Sequence, residues 1–237
     1  MFNKTSAIGV IDSGIGGFSV ARKVQKLLPN ENILYLGDGA NTPYGNHSAE
    51  EILTMTRYML KFMEEKGVKA LLVACNTISC LIDEYRDAMS CPVLSVVEAG
   101  AQAVQEQELD KVGVISTCFT ASTKCYPDLI GKLSPKTEVI SHGCPNLANV
   151  VERYVGKPEA QENINRLYPE LKLIDPAEQM AKTVQAYLEK EGLVNDSGKQ
   201  GELNIFTTGS IEEYTMKAKK VGLDPITSVQ FHTPMKL

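Results

Sequence analysis

The chain has 237 residues, of which 43% are hydrophobic and 22% are charged, a composition typical of a globular protein. Its 29 acidic and 24 basic side chains give a formal net charge of −5, which argues against a protein that binds nucleic-acid phosphates through a basic face. No apolar run approaches the roughly 20 residues that span a bilayer. The N-terminal segment lacks the pattern of a signal peptide. The sequence therefore predicts a cytoplasmic protein that binds neither nucleic acid nor membrane.

Short apolar runs recur along the chain. They are continuous rather than alternating, which predicts strands that are buried on both faces. Helical patterns separate them, and alternating strands and helices indicate an α/β protein with a parallel sheet. The predicted strands are residues 7–11, 33–36, 70–74, 93–97, 112–115, 139–140 and 203–206. The predicted helices are residues 17–28, 49–66, 78–89, 99–107 and 121–133.

Small polar residues and thiols follow several of the predicted strands. In open parallel sheets, ligands bind beyond the carboxyl ends of the strands. Candidate functional residues are therefore expected directly after each apolar run. These segments are Asp12-Ser13-Gly14, Gly37-Asp38-Gly39, Cys75-Asn76-Thr77 and Ser116-Thr117-Cys118.

Six cysteines lie between residues 75 and 144, at positions 75, 80, 91, 118, 125 and 144. A chain of this size without a secretory signal is not expected to depend on disulfides. No CxxC motif occurs and the chain has only three histidines, so no zinc-ligand spacing is present. Most of these thiols are predicted to be small buried apolar groups, and no metal is expected.

Cys75 is the exception, because it follows a strand and precedes a helix. Backbone N–H groups at a helix start lower the pKa of a thiol, so we expect Cys75 to be the most reactive of the six thiols. Asn76 and Thr77 add neutral hydrogen-bonding groups that suit a carboxylate or an enolate. The alternative is a buried cysteine at a strand end beside an Asn-Thr helix cap.

The segment from Asp12 to Gly17 joins a predicted strand to a predicted helix. Its glycines do not match the GxGxxG fingerprint and no GxxxxGK[ST] motif occurs, so no nucleotide cofactor is expected. Asp12 and Ser13 either face a polar substrate or form a tight turn in which Ser13 caps the helix. Read alone, Thr42-Pro43-Tyr44-Gly45 is a turn and Glu152 is a solvated helix residue.

Together these segments resemble the glutamate racemase family, whose members act without a cofactor and supply D-glutamate for cell-wall peptidoglycan. The matching segments, in the family's order, are residues 8–17 (IGVIDSGIGG), Tyr35-Leu36-Gly37-Asp38, Pro43-Tyr44-Gly45, Ala74-Cys75-Asn76-Thr77, residues 113–117 (GVIST) with Thr120, Cys144-Pro145 with Glu152, residues 174–178 (IDPAE) and residues 206–209 (FTTG). They extend over nearly the whole chain.

The resemblance implies two α/β lobes with an active site in the cleft between them. It also implies a two-base mechanism in which one cysteine from each lobe faces the α-carbon of a small acidic amino acid. By residue match, Cys75 is the first-lobe acid/base. Asp12, a further candidate catalytic residue, either holds an ammonium group or shapes proton transfer by the neighbouring thiol. The residues implied to contact substrate are Asp12, Ser13, Pro43, Tyr44, Gly45, Asn76, Thr77, Thr117 and Thr120, with Glu152 as a second-lobe carboxylate. No pyridoxal phosphate or metal is implied.

The chain departs from the family in one respect that bears on the mechanism. The family's second motif, Gly-Cys-Thr-His-Tyr-Pro, should lie between Glu152 and Ile174. The 21 residues from Arg153 to Leu173 contain neither Cys nor His, and a strand–helix–strand crossover needs about 30 residues. The motif is therefore predicted to be deleted together with its strand. Cys118 and Cys144 are the remaining candidates for an opposite-face thiol, with Cys118 the better placed.

Three hypotheses of different classes follow. The chain is an amino-acid racemase that has replaced its second base, a one-base decarboxylase or lyase with Cys75 as proton donor, or a non-enzymatic relative that binds an acidic amino acid or a partner. We expect a first lobe formed by residues 1–98 and 170–237, and a reduced second lobe of two or three strands formed by residues 99–169. The sequence leaves open whether the chain forms a homodimer.

Overall fold

The structure is a computed structural model that describes residues 2–154 and 170–235. Six parallel strands form one sheet in the order β4-β3-β1-β2-β7-β8, and β5 and β6 form a second parallel sheet. The strands are β1 Ile8–Asp12, β2 Ile33–Gly37, β3 Ala70–Val73, β4 Val93–Ser95, β5 Lys111–Ser116, β6 Glu138–Gly143, β7 Leu203–Thr207 and β8 Ser228–Phe231.

Helices connect most of the strands. They are α1 Phe18–Leu27, α2 Ala49–Glu65, α3 Asn76–Ser79, α4 Val96–Glu106, α5 Cys118–Thr123, α6 Cys125–Leu133, α7 Leu147–Tyr154, α8 Pro176–Lys190 and α9 Ile211–Lys220. None of the helices in the described ranges has the length and the apolar character that crossing a membrane requires.

The six-stranded sheet is buried on both faces, as its continuous apolar runs predict. Successive side chains of a strand point to opposite faces. In β1, Ile8 and Val10 pack into a core that includes residues of α1, α4 and α8, whereas Ile11 packs into a second core that includes residues of α2. The carboxyl ends of β1, β2, β3 and β7 therefore meet at one well-supported edge.

The second sheet is buried on one face only, so the prediction of burial on both faces is wrong for β5 and β6. Val112 and Val114 pack against the first core, which includes Ile130 of α6. On the opposite face, Ile115 is 65% exposed and Ile140 is 50% exposed.

Two of the predicted helices are interrupted. The helix predicted over residues 78–89 ends with α3 and is followed by 3-10 turns at Ile82–Glu84 and Arg86–Ala88. Tertiary contacts hold these turns, because the Tyr85 hydroxyl donates to Ile78 O (3.0 Å) and Arg86 donates to Val93 O (2.9 Å). The helix predicted over residues 121–133 is divided at Lys124, which has a left-handed backbone (φ 57°).

The predicted deletion falls largely on residues 155–169, which lie outside the described residues. The lobe boundaries, 1–98 with 170–237 and 99–169, remain a prediction. Among the described residues, the second sheet contains two strands.

A buried ion pair lies at the amino-terminal edge of the large sheet and connects neighbouring segments there. Lys69 and Glu31 precede β3 and β2, and their side chains are 0% and 1% exposed with Nζ 2.5 Å from Oε2. The ammonium group also donates to Lys4 O (2.7 Å) and Leu193 O (2.8 Å). It therefore connects the N-terminal segment with the chain that follows α8.

We predict that Lys69→Met lowers the free energy of unfolding by about 3–5 kcal/mol, because it leaves the Glu31 carboxylate buried without its partner. Urea denaturation measures this change. As a control, Lys111→Met removes an exposed ion pair with Glu138 and should change stability by less than about 1 kcal/mol. Equal effects of the two substitutions would contradict a structural role for the buried pair.

Candidate active site

A cleft of about 250 Å³ opens at the carboxyl edge of the large sheet, facing the end of β5 and helix α7. Ten of the eleven residues proposed from sequence line it: Asp12, Ser13, Pro43, Tyr44, Gly45, Cys75, Asn76, Thr77, Thr117 and Glu152. The eleventh, Thr120, is buried behind Thr117, whose Oγ1 lies 3.1 Å from Thr120 Oγ1. The structure therefore does not place Thr120 in the cleft wall.

The Asp12 carboxylate organises the turn after β1. Its Oδ2 accepts hydrogen bonds from the backbone N–H of Gly14 (3.2 Å) and Gly17 (3.0 Å). The alternative in which Ser13 caps α1 is wrong, because Gly17 is the N-cap residue and no side chain caps the helix there. Burial raises the pKa of Asp12, the hydrogen bonds from Gly17 and Gly14 oppose this, and the charge of Glu152 adds to the rise.

The Cys75 thiol lies beside this turn, with Sγ 3.3 Å from Ser13 Oγ. Cys75 is the N-cap residue of α3, a helix of only four residues, and it is 6% exposed. Burial raises its pKa to about 11, the charge of Asp12 contributes further, and the hydrogen bond with Ser13 opposes the shift. The expected lowering of the Cys75 pKa is therefore wrong, because desolvation outweighs the helix start.

Polar side chains from the segments that follow β3 and β5 meet beside the thiol. The Tyr126 hydroxyl of α6 donates to Asn76 Oδ1 (2.7 Å), and this bond holds the Asn76 amide at the cleft wall. Thr77 Oγ1 and Thr117 Oγ1 lie 3.2 Å apart. The segment after β3 is thus connected directly to the segment after β5.

A buried carboxylate positions the Pro43-Tyr44-Gly45 segment. Asp38 follows β2, and its oxygens accept from the Tyr44 hydroxyl (2.6 Å) and from Thr208 Oγ1 (2.6 Å). Burial raises the pKa of Tyr44, and the neighbouring Asp38 charge adds to this, so the hydroxyl remains a donor. The segment is consequently more constrained than the generic turn that its sequence indicates alone.

Glu152 of α7 connects the second wall of the cleft to the first. Its Oε1 accepts from Ile15 N (3.1 Å), and its Oε2 lies 2.9 Å from Lys217 Nζ on α9. Burial opposes the charge of Lys217, but hydrogen bonds to Glu213 and Glu152 outweigh burial and raise its pKa. Glu152 is therefore not the solvated helix residue that it resembles when read alone.

The structure also shows two residues, one in the cleft and one beside it, that were not among the proposed site residues. Asp175 lines the cleft, but its Oδ1 caps α8 by accepting from Ala177 N (3.0 Å). Lys217 is the ion-pair partner of Glu152 and lies 65 residues further along the chain. The cap formed by Asp175 has a local signal, because Asp followed by Pro at the first helical position is typical of a helix start. The contact of Lys217 with Glu152 has none, because it depends on which helices the fold brings together.

Neither candidate for a replacement thiol lines the cleft. Cys118 is exposed and Cys144 is half-buried, and both lie outside the set of lining residues. Cys118 begins α5 and packs toward Gly143 of β6 instead. Within the described ranges, Cys75 is the one thiol of the cleft, and no group of three or more His, Cys, Asp or Glu residues is arranged to hold a metal ion.

A parallel α/β fold with a cleft at the strand ends agrees with the fold that the resemblance implied. The chain belongs to the Asp/Glu/Hydantoin racemase family, whose model matches residues 8–191. Within that family it is of the glutamate racemase type. It is 32% identical to a glutamate racemase of Listeria monocytogenes serotype 4a over 246 residues, covering 90% of this chain and 92% of the relative. The predicted resemblance is confirmed.

Solved structures agree with this assignment. A glutamate racemase isoform from Bacillus anthracis superposes with a TM-score of 0.87 at 30% identity, covering 99% of both chains. The glutamate racemase of Francisella tularensis, solved in complex with D-glutamate, gives a TM-score of 0.86 at 28% identity over 98% of both chains. The predicted α/β fold class is confirmed.

The relatives are longer inside the aligned region. The alignment with the Listeria protein spans 246 positions but uses 90% of the 237 residues of this chain, about 213, so about 33 positions have no counterpart here. The difference is close to the length of one strand–helix–strand crossover. It supports the internal deletion inferred from the absent second motif.

We predict that Gly14→Ala disturbs the contact between Glu152 and Ile15. A Cβ at residue 14 would lie 2.2 Å from Glu152 Oε1, so the carboxylate must leave its hydrogen bonds, at a cost of about 1–3 kcal/mol. The melting temperature should fall by several degrees. Gly113→Ala is the control, since nothing lies within 4 Å of its added Cβ, and an equal fall in both variants would contradict the assignment.

We also predict that Asp12→Asn makes Cys75 more reactive toward iodoacetamide at pH 8. The Asp12 charge raises the pKa of Cys75, so its removal increases the thiolate fraction, and labelling should become severalfold faster. Mass spectrometry of the labelled peptides measures the rate, with the exposed Cys118 as internal reference. An unchanged ratio of Cys75 to Cys118 labelling would show that the carboxylate does not act on the thiol.

Proposed function

We propose that the cleft binds glutamate and that Cys75 exchanges its α-proton without a cofactor. The observation that carries this proposal is the position of the Cys75 thiol, in the cleft between Ser13 and the Asn76-Thr77 pair. The curated relatives are glutamate racemases, which favours this function over the one-base lyase and the non-enzymatic relative. A role in supplying D-glutamate to peptidoglycan is part of the proposal.

The roles of the residues follow from their chemistry. The neutral donors of Ser13, Asn76 and Thr117 suit the substrate carboxylates and the negative charge that develops as the α-proton leaves. Asp12 suits the substrate ammonium group. The Cys75 thiolate breaks the α C–H bond and forms an S–H bond, the electron pair remains on the substrate as a carbanion delocalised into its carboxylate, and the reverse step returns a proton.

Inversion requires a proton on the opposite face of the α-carbon. A single thiol serves one face, so reprotonation by Cys75 restores the starting configuration. Both oxygens of Glu152 are already engaged, Oε1 by Ile15 N and Oε2 by Lys217, so this side chain is held away from a role on the opposite face. We therefore propose that exchange on the Cys75 face is faster than inversion, which then depends on water or on a group supplied from elsewhere, such as a second copy of the chain.

The test compares two rates on one sample in D₂O. Proton NMR follows deuterium entry at the α-carbon of L- and D-glutamate, and chiral chromatography follows inversion. We expect exchange of one enantiomer to exceed net racemisation. Cys75→Ser should lower the exchange rate by about 100- to 10,000-fold, whereas Cys118→Ser should leave it unchanged.

Two outcomes would contradict parts of this proposal. Racemisation as fast as exchange would show that another group serves the opposite face. No exchange with either enantiomer by the folded chain would contradict glutamate as the substrate.

A further inference from the structure

Two thiols outside the cleft, those of Cys80 and Cys125, interact with each other and with the neighbouring Thr123 side chain. Cys80 is the C-cap residue of α3, which carries Asn76 and Thr77, and Cys125 is the first residue of α6. Both side chains are half-buried, and neither lines the cleft. Their contact accordingly joins the segment after β3 to the helices that follow β5.

The packing around them fixes this arrangement. Cys80 N donates to Asn76 O (3.1 Å), so these residues are one turn apart on α3. Asn76 accepts a hydrogen bond from Tyr126, the neighbour of Cys125. The left-handed Lys124 turns the chain at the start of α6, and the Cys125 thiol lies 4.0 Å from Thr120 O. The two thiols are therefore brought together by the hydrogen bond between Asn76 and Tyr126, which lies one turn from Cys80 and one residue from Cys125.

The pKa values of the two thiols are shifted in opposite directions. Interaction with the Cys80 thiol lowers the pKa of Cys125 despite partial burial, and the same interaction raises the pKa of Cys80. Burial raises the pKa of Cys75 to about 11 and that of Cys91 to about 12. Cys125 thus has a lowered pKa and lies next to a thiol whose pKa is raised. Redox-sensing cysteines commonly combine these features.

We infer that Cys80 and Cys125 form a redox site, which hydrogen peroxide converts into a disulfide that joins α3 to α6. The Cys125 thiolate attacks one peroxide oxygen, the O–O bond breaks, and with one proton the products are a Cys125 sulfenic acid and water. The Cys80 thiol then attacks the sulfenic sulfur and the hydroxyl leaves as a second water. The two thiols together lose two electrons, which peroxide accepts, and a dithiol reductant reverses the change.

Peptide mapping tests the site directly. The reduced full-length chain is treated with a small excess of hydrogen peroxide, its free thiols are alkylated, and the digest is analysed by mass spectrometry. We expect a Cys80–Cys125 cross-linked peptide as the dominant product, lost on treatment with dithiothreitol. The closed loop of about 45 residues should raise the melting temperature by roughly 5 °C.

Matched variants give the controls. Cys80→Ser should stop at Cys125 sulfenic acid, which dimedone captures, and Cys125→Ser should resist peroxide at both positions. Cys118→Ser, which removes an exposed thiol elsewhere, should form the cross-link normally. A different dominant disulfide, or irreversible oxidation at Cys118 without the cross-link, would overturn the inference.

A second measurement concerns the cleft and rests on the proposed function. Because the disulfide fixes α3 against the helices that carry Thr117 and Tyr126, we expect at least fivefold slower α-proton exchange in the oxidised chain, restored by dithiothreitol and absent in Cys80→Ser. Exchange at an unchanged rate in the cross-linked chain would overturn the coupling to the cleft. If the reduced chain exchanges nothing, the proposed function fails, and the peptide map still decides on the redox site.

Discussion

The buried Asp12 carboxylate is the constraint on which the cleft depends. β1 lies in the interior of the large sheet, so its last residue must satisfy its polar groups without water. It does so by binding the N–H groups of Gly14 and Gly17, which bends the chain back over the sheet edge. That bend places Ser13 against Cys75 and presents Ile15 N to Glu152. One buried acid thereby sets the positions of groups from three separate segments.

Burial also opposes the ionisation of Asp12 and Cys75. Desolvation raises the pKa of both Asp12 and Cys75, and the charge of Asp12 raises that of Cys75 further. The Cys75 thiol, whose pKa is raised to about 11, therefore retains its proton at neutral pH. An ammonium group bound beside Asp12 would stabilise both ionised groups, so the substrate proposed above would itself promote ionisation of the proposed base.

The sequence predicted those parts of the fold whose signal is local. Strands β1, β2, β3 and β7 were found because each is a continuous apolar run, and the cleft was found because ligand groups follow such runs. β8 was missed, since this strand is short and half-exposed at the sheet edge. The Glu152–Lys217 pair and the raised pKa of Cys75 were not predictable, because both depend on long-range packing and on the depth of burial.

The two walls of the cleft differ in how firmly they are supported. The wall that carries Asp12 and Cys75 rests on six strands with cores on both faces. The wall that carries Thr117 rests on two strands whose residues Ile115 and Ile140 are exposed on one face. It is held to the first wall by a few polar contacts: Thr77–Thr117, Asn76–Tyr126 and Ile15–Glu152. For the function proposed above, loss of a second-wall segment, which the shorter alignment supports, would leave the groups around Cys75 in place and remove groups only from the opposite face.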